Sequence, residues 1–244
     1  EEIMRYAVIS DIHGNLQALI AVLLEIEKLN AERILCAGDI VGYGANPKEC
    51  LDTMRTLKAT VVAGYHDWAV SGRLDPSYFT NDGKAAVFWT RKQISAKDIA
   101  FLNGLQLGLQ NKDCLLVHGS LVDSENFNYM YGIKQAIEAF PLLDRPVCFI
   151  GHTHVPRIFM EHEGKVFQID QTEIEIKPDS KYFVNVGSVG QPRDGNPMAS
   201  FCIYDADTRM IELKRVHYDI ASAQKRIMDA GLPPMLAQRL STGD

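Results

Sequence analysis

Several side chains able to hold a metal or move a proton stand directly after short apolar runs. "AVIS" leads into Asp11 and His13, "ILCAG" into Asp39, and "VVAG" into Tyr65, His66 and Asp67. "LLV" leads into His118, and "CFIG" into His152 and His154. Mixed Asp and His donors are borderline oxygen–nitrogen ligands, suited to Mn, Fe, Co, Ni or Zn rather than to Ca or a thiolate-seeking metal. The set Asp11, His13, Asp39, His118, His152 and His154 is too large for one metal that keeps an open position. It suits two ions about 3.5–4 Å apart that share a bridging carboxylate. In an extended segment residues i and i+2 point the same way, so Asp11 and His13 are expected to face one side together, as are His152 and His154. Each fragment alone has an ordinary reading, a turn for Gly-Asp and a surface or core pair for H-x-H. Their shared placement at strand ends argues for a site.

The elements that must position them follow from periodicity. "RYAVIS" (5–10), "RILCAG" (33–38) and "ATVVAG" (59–64) read as strands. Between them lie two helices, 16–30 with apolar residues at helical spacing and 46–57 opening on Asn and Pro. Strand–helix–strand–helix–strand with short links is the pattern of a parallel sheet with crossover helices. The carboxyl ends of such strands form one rim where ligands bind. Residues 65–111 read as mostly helical, with a helix near 83–94, and 113–120 and 146–154 return as strands ending in histidine. From about 158 the segments alternate and are joined by turn-rich links, an antiparallel set, and a helix over 220–231 follows. One domain over 1–244 is expected, with two sheets and helices outside them.

The chain has 244 residues, 46% hydrophobic and 23% charged, the composition of an ordinary globular protein with a sizeable core. A net charge of −6 argues against a broad nucleic-acid surface, so an anionic substrate would need local positive charge such as a bound metal. The sequence has no apolar run long enough for a membrane span and no signal-peptide pattern over residues 1–5, which predicts a cytoplasmic protein without membrane contact. Cys36, Cys50, Cys114, Cys148 and Cys202 occur singly, with no C-x-x-C pair. They read as buried reduced thiols, which agrees with a reducing compartment. Oligomeric state is not encoded in any of these features.

The series D-x-H, G-D, G-x-H-D, V-H-G and G-H-T-H resembles the calcineurin-like metallophosphoesterase superfamily. "GDIVGYGANPKEC" and "NVGSVGQPRDGNPMASF" resemble its small prokaryotic phosphodiesterase-type branch, so the likeness covers almost the whole chain. It implies an α/β (α+β) fold, a four-layer α/β/β/α sandwich of two mixed sheets flanked by helices. It also implies hydrolysis of phosphodiester or phosphomonoester bonds in small or nucleotide-like substrates, through a metal-bound hydroxide at a two-metal site. By position, Asp11, His13, Asp39 and His154 would hold the first ion; Asp39 would bridge to the second, held also by His118 and His152. His66 matches the catalytic histidine that helps protonate the leaving oxygen. The cofactors would be two divalent or mixed-valence transition-metal ions.

One position departs from that pattern. Tyr65 stands where the family has a metal-binding asparagine, and a neutral phenol is a poor ligand. The second site is therefore expected to be weak, with Tyr65 swung aside or facing the phosphate, or else a phenolate ligand to ferric iron. The related iron–tyrosine phosphatases place their tyrosine at the position of Gly42, with Tyr43 one residue late. Tyr65 is also the one feature favouring the alternative reading, a catalytically impaired or non-catalytic scaffold on the same fold. Two residues keep two readings each. Asn15 contacts substrate or caps the next helix, and Arg193 clamps phosphate or pairs with Asp194. His162, in a turn, and His217 are expected to be solvated.

Overall fold

The computed structural model of the protein describes residues 4–244. Strand β1 (Arg5–Ile9), helix α1 (Leu16–Lys28), β2 (Arg33–Cys36), α2 (Pro47–Thr56) and β3 (Thr60–Val61) form the expected parallel unit. Its helices start where local chemistry dictates: the Asn15 side-chain oxygen accepts the Ala18 N–H, and Pro47 occupies the first turn of α2. Helices α3 (Tyr65–Ser71), α4 (Asn81–Gln93) and α5 (Ala96–Asn103) fill the next stretch, which ends in a short strand, β4 (Gly108–Gln110). β5 (Leu115–Val117), α6 (Ile133–Ala139) and β6 (Val147–Ile150) follow. Then come β7 (Arg157–His162), β8 (Lys165–Ile169), β9 (Glu173–Glu175), β10 (Ser180–Asn185), β11 (Ala199–Asp205) and β12 (Met210–Val216). α7 (Ile220–Asp229) and α8 (Pro234–Thr242) close the chain. α6 and α8 were not expected from the sequence.

The strands form two mixed sheets, ordered β3-β2-β1-β11-β12-β9 and β4-β5-β6-β10-β7-β8. The antiparallel strands expected as one set are thus divided between them. β11 runs antiparallel beside β1, while β10 lies parallel to β6 and antiparallel to β7. Period-two alternation reports which face of a strand is buried, not which neighbour it pairs with.

The layers account for the apolar runs. Tyr6, Val8 and Leu35 of the first sheet pack against Phe149, Tyr182 and Val184 of the second. On the outer face of the first sheet Ala7 and Ile9 meet Leu19, Val22 and Ile26 of α1. On the outer face of the second, Cys148, Ile150 and Phe183 meet Ala136 and Ala139 of α6. Strands buried on both faces read as continuous apolar segments. Phe149 is fully buried in the shared layer, so Phe149→Ala is expected to lower unfolding free energy by about 3–5 kcal/mol. Urea unfolding measures it, and a loss below about 1 kcal/mol would mean the layer collapses around the vacancy.

Candidate metal centre

The loops after β1 and β2 belong to one sheet and those after β5 and β6 to the other, and all four meet at one point. The His154 Nε2 lies 3.3 Å from Asp11 Oδ1, and His118 Nε2 lies 3.2 Å from Asp39 Oδ2, each pair crossing between sheets. His13 Nε2 is 3.7 Å from Asp11 Oδ1 and 3.6 Å from Asp39 Oδ2. Asp39 Oδ2 therefore faces His13 and His118 at once, while its Oδ1 accepts the His66 backbone N–H at 2.7 Å. Three groups offer ligand atoms within 4.8 Å of one another: Asp11, His13 and His154; Asp39, His118 and His152; and His13, Asp39 and His66.

The backbone route to this convergence differs from the expected one. Asp11, His13, Asp39, His152 and His154 all have positive φ, between 48° and 68°. That is the left-handed region, costly for non-glycine residues and concentrated at functional sites. The segments are tight turns rather than extended strand, so the i, i+2 argument fails in its detail. Asp11 and His13 do share a group, but His152 and His154 turn into different ones. Gly64 permits the close approach of α3 to Asp39: a Cβ there would lie 2.1 Å from the Asp39 backbone nitrogen.

Proton placement tests whether these residues fit a metal. His13, His118 and His154 each turn Nδ1 to a backbone carbonyl, of Val41 at 3.1 Å, Ala37 at 2.6 Å and Gln191 at 2.6 Å. Assigned from this network, the proton sits on Nδ1 and each Nε2 presents a lone pair, the arrangement typical of ligating histidines. His13 Nε2 and His154 Nε2 are 3.0 Å apart. Two lone pairs at that distance need a proton or a metal ion between them. The donor set fits a metal.

The charges agree. Burial alone would raise the Asp39 and Asp11 carboxyls, but the rings around them, His118 for Asp39 and His154 for Asp11, hold both well below the ordinary range. Burial lowers His66 and His152, and burial followed by Arg193 brings His154 down to about 4. Burial also disfavours charge on His118, but Asp39 outweighs it and holds that ring up at about 9, marking a point where positive charge belongs. Ionised carboxylates are the ligand state that metals require, and the positive charge drawn to His118 is the charge that a bound cation would supply in its place. Asp67, which the sequence reading left without a role, accepts N–H bonds from Asp39 at 2.8 Å, Gly64 at 3.1 Å and Val41 at 3.2 Å, tying α3 to the Asp39 loop.

A cavity of about 480 Å³ opens over the centre, lined among others by Asp39, His66, His152, His154 and Arg193. The Tyr65 ring lies flat against Phe79, with centroids 4.3 Å apart and planes at 2°, and forms part of the cavity wall. Burial, then the Asp39 carboxylate, raise its phenol, which opposes a phenolate. Gly42 has no room for a side chain, since a Cβ would lie 2.4 Å from His66 Nδ1. The Tyr43 ring packs 4.3 Å from that of His66.

Asn15 and Arg193 stand in different surroundings. Asn15 is the helix cap, its amide nitrogen donating to Gly190 O at 2.8 Å, so both ends of the side chain are engaged within the protein. Asp194 pairs with Arg215, leaving Arg193 directed at the cavity, its guanidinium resting on Gln191 Oε1 at 2.7 Å and over the Tyr43 ring. His217 is exposed, whereas His162 ends β7 and bonds the Ser180 hydroxyl at 3.0 Å.

The sequence profile of the calcineurin-like phosphoesterase superfamily domain matches residues 4–209. The chain belongs to that superfamily. This membership makes the protein a phosphoesterase, a hydrolase of a metal-dependent family. An uncharacterized protein of Methanocaldococcus jannaschii is 40% identical over 247 residues, covering 97% of each chain. The crystal structure of a metallophosphoesterase from Sphaerobacter thermophilus is 38% identical and superposes with a TM-score of 0.88 over 100% of both chains. A hypothetical protein of Pyrococcus horikoshii OT3, 22% identical, shares the fold at a TM-score of 0.82 over 99% of each chain. Among the described residues no helix of this phosphoesterase is long and apolar enough to cross a membrane.

The cavity of this phosphoesterase also holds residues that sequence reasoning missed. Phe79, Phe127 and Tyr129 line it, with the Tyr129 ring stacked on His152 at 3.9 Å. Leu236 and Arg239 reach it from α8. A signal for that helix exists, since Pro234 opens it and Leu236 and Leu240 share one face at i, i+4.

Proposed function

We propose that the protein hydrolyses phosphodiester or phosphomonoester bonds of small or nucleotide-like substrates at a two-metal centre, with residues 1–244 acting as one domain. The observation that carries this reading is the buried convergence of His13 Nε2 and His154 Nε2, 3.0 Å apart, with Asp11 Oδ1 at 3.3 Å from His154 and Asp39 Oδ2 at 3.6 Å from His13 and 3.2 Å from His118. Asp11, His13, Asp39 and His154 would hold one ion, and Asp39, His118 and His152 the other, Asp39 Oδ2 serving both. The N/O donor set suits Mn, Fe, Co, Ni or Zn. Bound ions would supply an acidified water and positive charge for the phosphate oxygens.

The chain's own residues then do the rest. Arg193 grips phosphate oxygens with a planar guanidinium. His66 delivers a proton to the leaving oxygen; its Nδ1 is buried with no partner, and the ring sits beside His13 at 4.9 Å. The backbone N–H of His66 holds Asp39 Oδ1, which turns Oδ2 toward His13 and His118. The five cysteines are free and buried, which supports a cytoplasmic location.

Metal analysis together with hydrolysis of an aryl phosphodiester and an aryl monoester tests the reading. Exhaustive chelation is expected to abolish both activities and Mn²⁺ to restore them; activity that survives complete metal removal would refute it.

Tyr65 bears on the second ion. With three protein ligands there and a tyrosine on the wall, the second site is expected to fill at higher Mn²⁺ than the first. Tyr65→Asn supplies a carbonyl oxygen and is expected to shift the activation curve to about tenfold lower Mn²⁺, the scale of one ligand interaction. Titrating both proteins while following phosphodiester hydrolysis decides it. Equal saturation points would show that Tyr65 is no defect.

A further inference from the structure

Arg193 and Arg239 come from different parts of the fold, the loop after β10 and helix α8, yet converge on one neutral atom. Arg193 Nη2 and Nε lie 2.7 and 3.2 Å from Gln191 Oε1, and Arg239 Nη1 lies 3.5 Å from the same oxygen. Both side chains line the cavity over the metal centre. Among the described residues neither guanidinium forms an ion pair within 4.0 Å. Asp194, the acid next to Arg193, is taken by Arg215. Asp82 lines the same cavity and Asp244 follows α8, but neither reaches ion-pair distance of Arg239. Arg239 Nε is buried without a partner.

Two cations sharing one amide oxygen repel each other, and one amide oxygen satisfies few of their ten N–H donors (five on each guanidinium). A guanidinium left with open donors in a cleft matches a phosphate, which accepts from it bidentately. The two are not equivalent in position. The Arg193 backbone N–H is bonded to His154 O at 3.1 Å and its guanidinium lies over Tyr43, whose ring touches His66. The Arg239 guanidinium lines the cavity from α8 and bonds Gln191.

We propose that Arg239 forms, with Arg193, a second anion subsite, so that the preferred substrates carry a phosphate group beyond the one that reacts. The substrate class is then a phosphate ester with a second phosphate close to the first, such as a nucleoside diphosphate or a diester bearing a terminal phosphate. The inference rests on the phosphoesterase centre described above and adds the specificity element that lies beside it. Arg193 serves the reacting phosphate and Arg239 the next.

The test uses the metal-loaded enzyme, a nitrophenyl phosphodiester as reporter, and adenosine monophosphate and adenosine diphosphate as competing probes. The two probes share base and sugar, so contacts to the aromatic wall cancel in their ratio. Free Mn²⁺ is buffered so that chelation by the diphosphate does not alter the metal supply. The diphosphate is expected to inhibit wild type at about tenfold lower concentration than the monophosphate, the scale of a charge-assisted hydrogen bond. In Arg239→Gln the gap is expected to fall below about threefold. The ratio is taken within one protein, so a partly unfolded fraction does not change it. Should the Gln variant fail to fold, Arg239→Lys replaces it, with a smaller gap expected because the fork is lost. A wild-type gap below about threefold, a gap that either folded variant leaves unchanged, or an equal weakening of both probes overturns the subsite. Absence of hydrolysis of both this reporter and nitrophenyl phosphate at saturating metal would instead overturn the two-metal phosphoesterase reading, and the subsite with it.

Discussion

Asp39→Asn is expected to release both metal ions and to reduce phosphodiester hydrolysis by about 10³-fold or more, since metal stabilisation of transition-state charge is worth several kcal/mol. Asp39 Oδ2 lies 3.2 Å from His118 and 3.6 Å from His13, so one atom stands beside a histidine of each proposed ion site. Its other oxygen is committed to the His66 N–H at 2.7 Å. An asparagine that keeps this bond through its carbonyl must turn its NH₂ toward the two histidines. The site then loses a negative charge and gains a donor where a cation belongs. Metal content after desalting, read beside activity, checks the result. Two metals retained per chain would contradict the bridging role, and one retained would assign Asp39 to a single ion.

His66→Ala is expected to behave in the opposite way, leaving metal content intact while turnover falls by about 10²-fold, the usual weight of a positioned proton donor. The ring is buried and lies against those of His13 and Tyr43. Burial favours its neutral form, opposed in part by Asp39. An arriving phosphate adds negative charge, which raises the ring's proton affinity in the direction a proton donor needs. The deficit is expected to be larger for alkyl than for nitrophenyl leaving groups, because a good leaving group needs less proton transfer. Since His66 also lies within 4.8 Å of ligand atoms on His13 and Asp39, loss of metal in step with activity would make it a ligand. A deficit that does not depend on the leaving group would refute the proton-donor role.

Much of the site was legible in sequence because its residues are locally marked. Each follows a strand that is apolar on both faces, and the break from such a run to Asp or His is visible without any partner. Asn15 at the start of α1 and the proline that opens α2 were equally local, and their capping roles follow from groups within one turn. The five cysteines stand in apolar surroundings and are buried and free, as such surroundings imply.

What the tertiary structure decided lies between segments distant in sequence. Spacing placed His152 and His154 on one side, but left-handed turns send them to different ligand groups, and those turns are held by contacts such as the His152 N–H on Asp11 Oδ2 at 3.0 Å. Alternation marked the later strands without saying that β11 joins the first sheet and β10 the second, because a buried face looks the same whichever sheet covers it. Arg193 lines the cavity while Arg215, on β12, takes the neighbouring Asp194. Arg239 enters the cavity only because α8 packs beside α7 through Ile227, Leu236 and Leu240. Periodicity records how deeply a side chain is buried. Which charge stands next to it depends on long-range packing, and no local pattern carries that information.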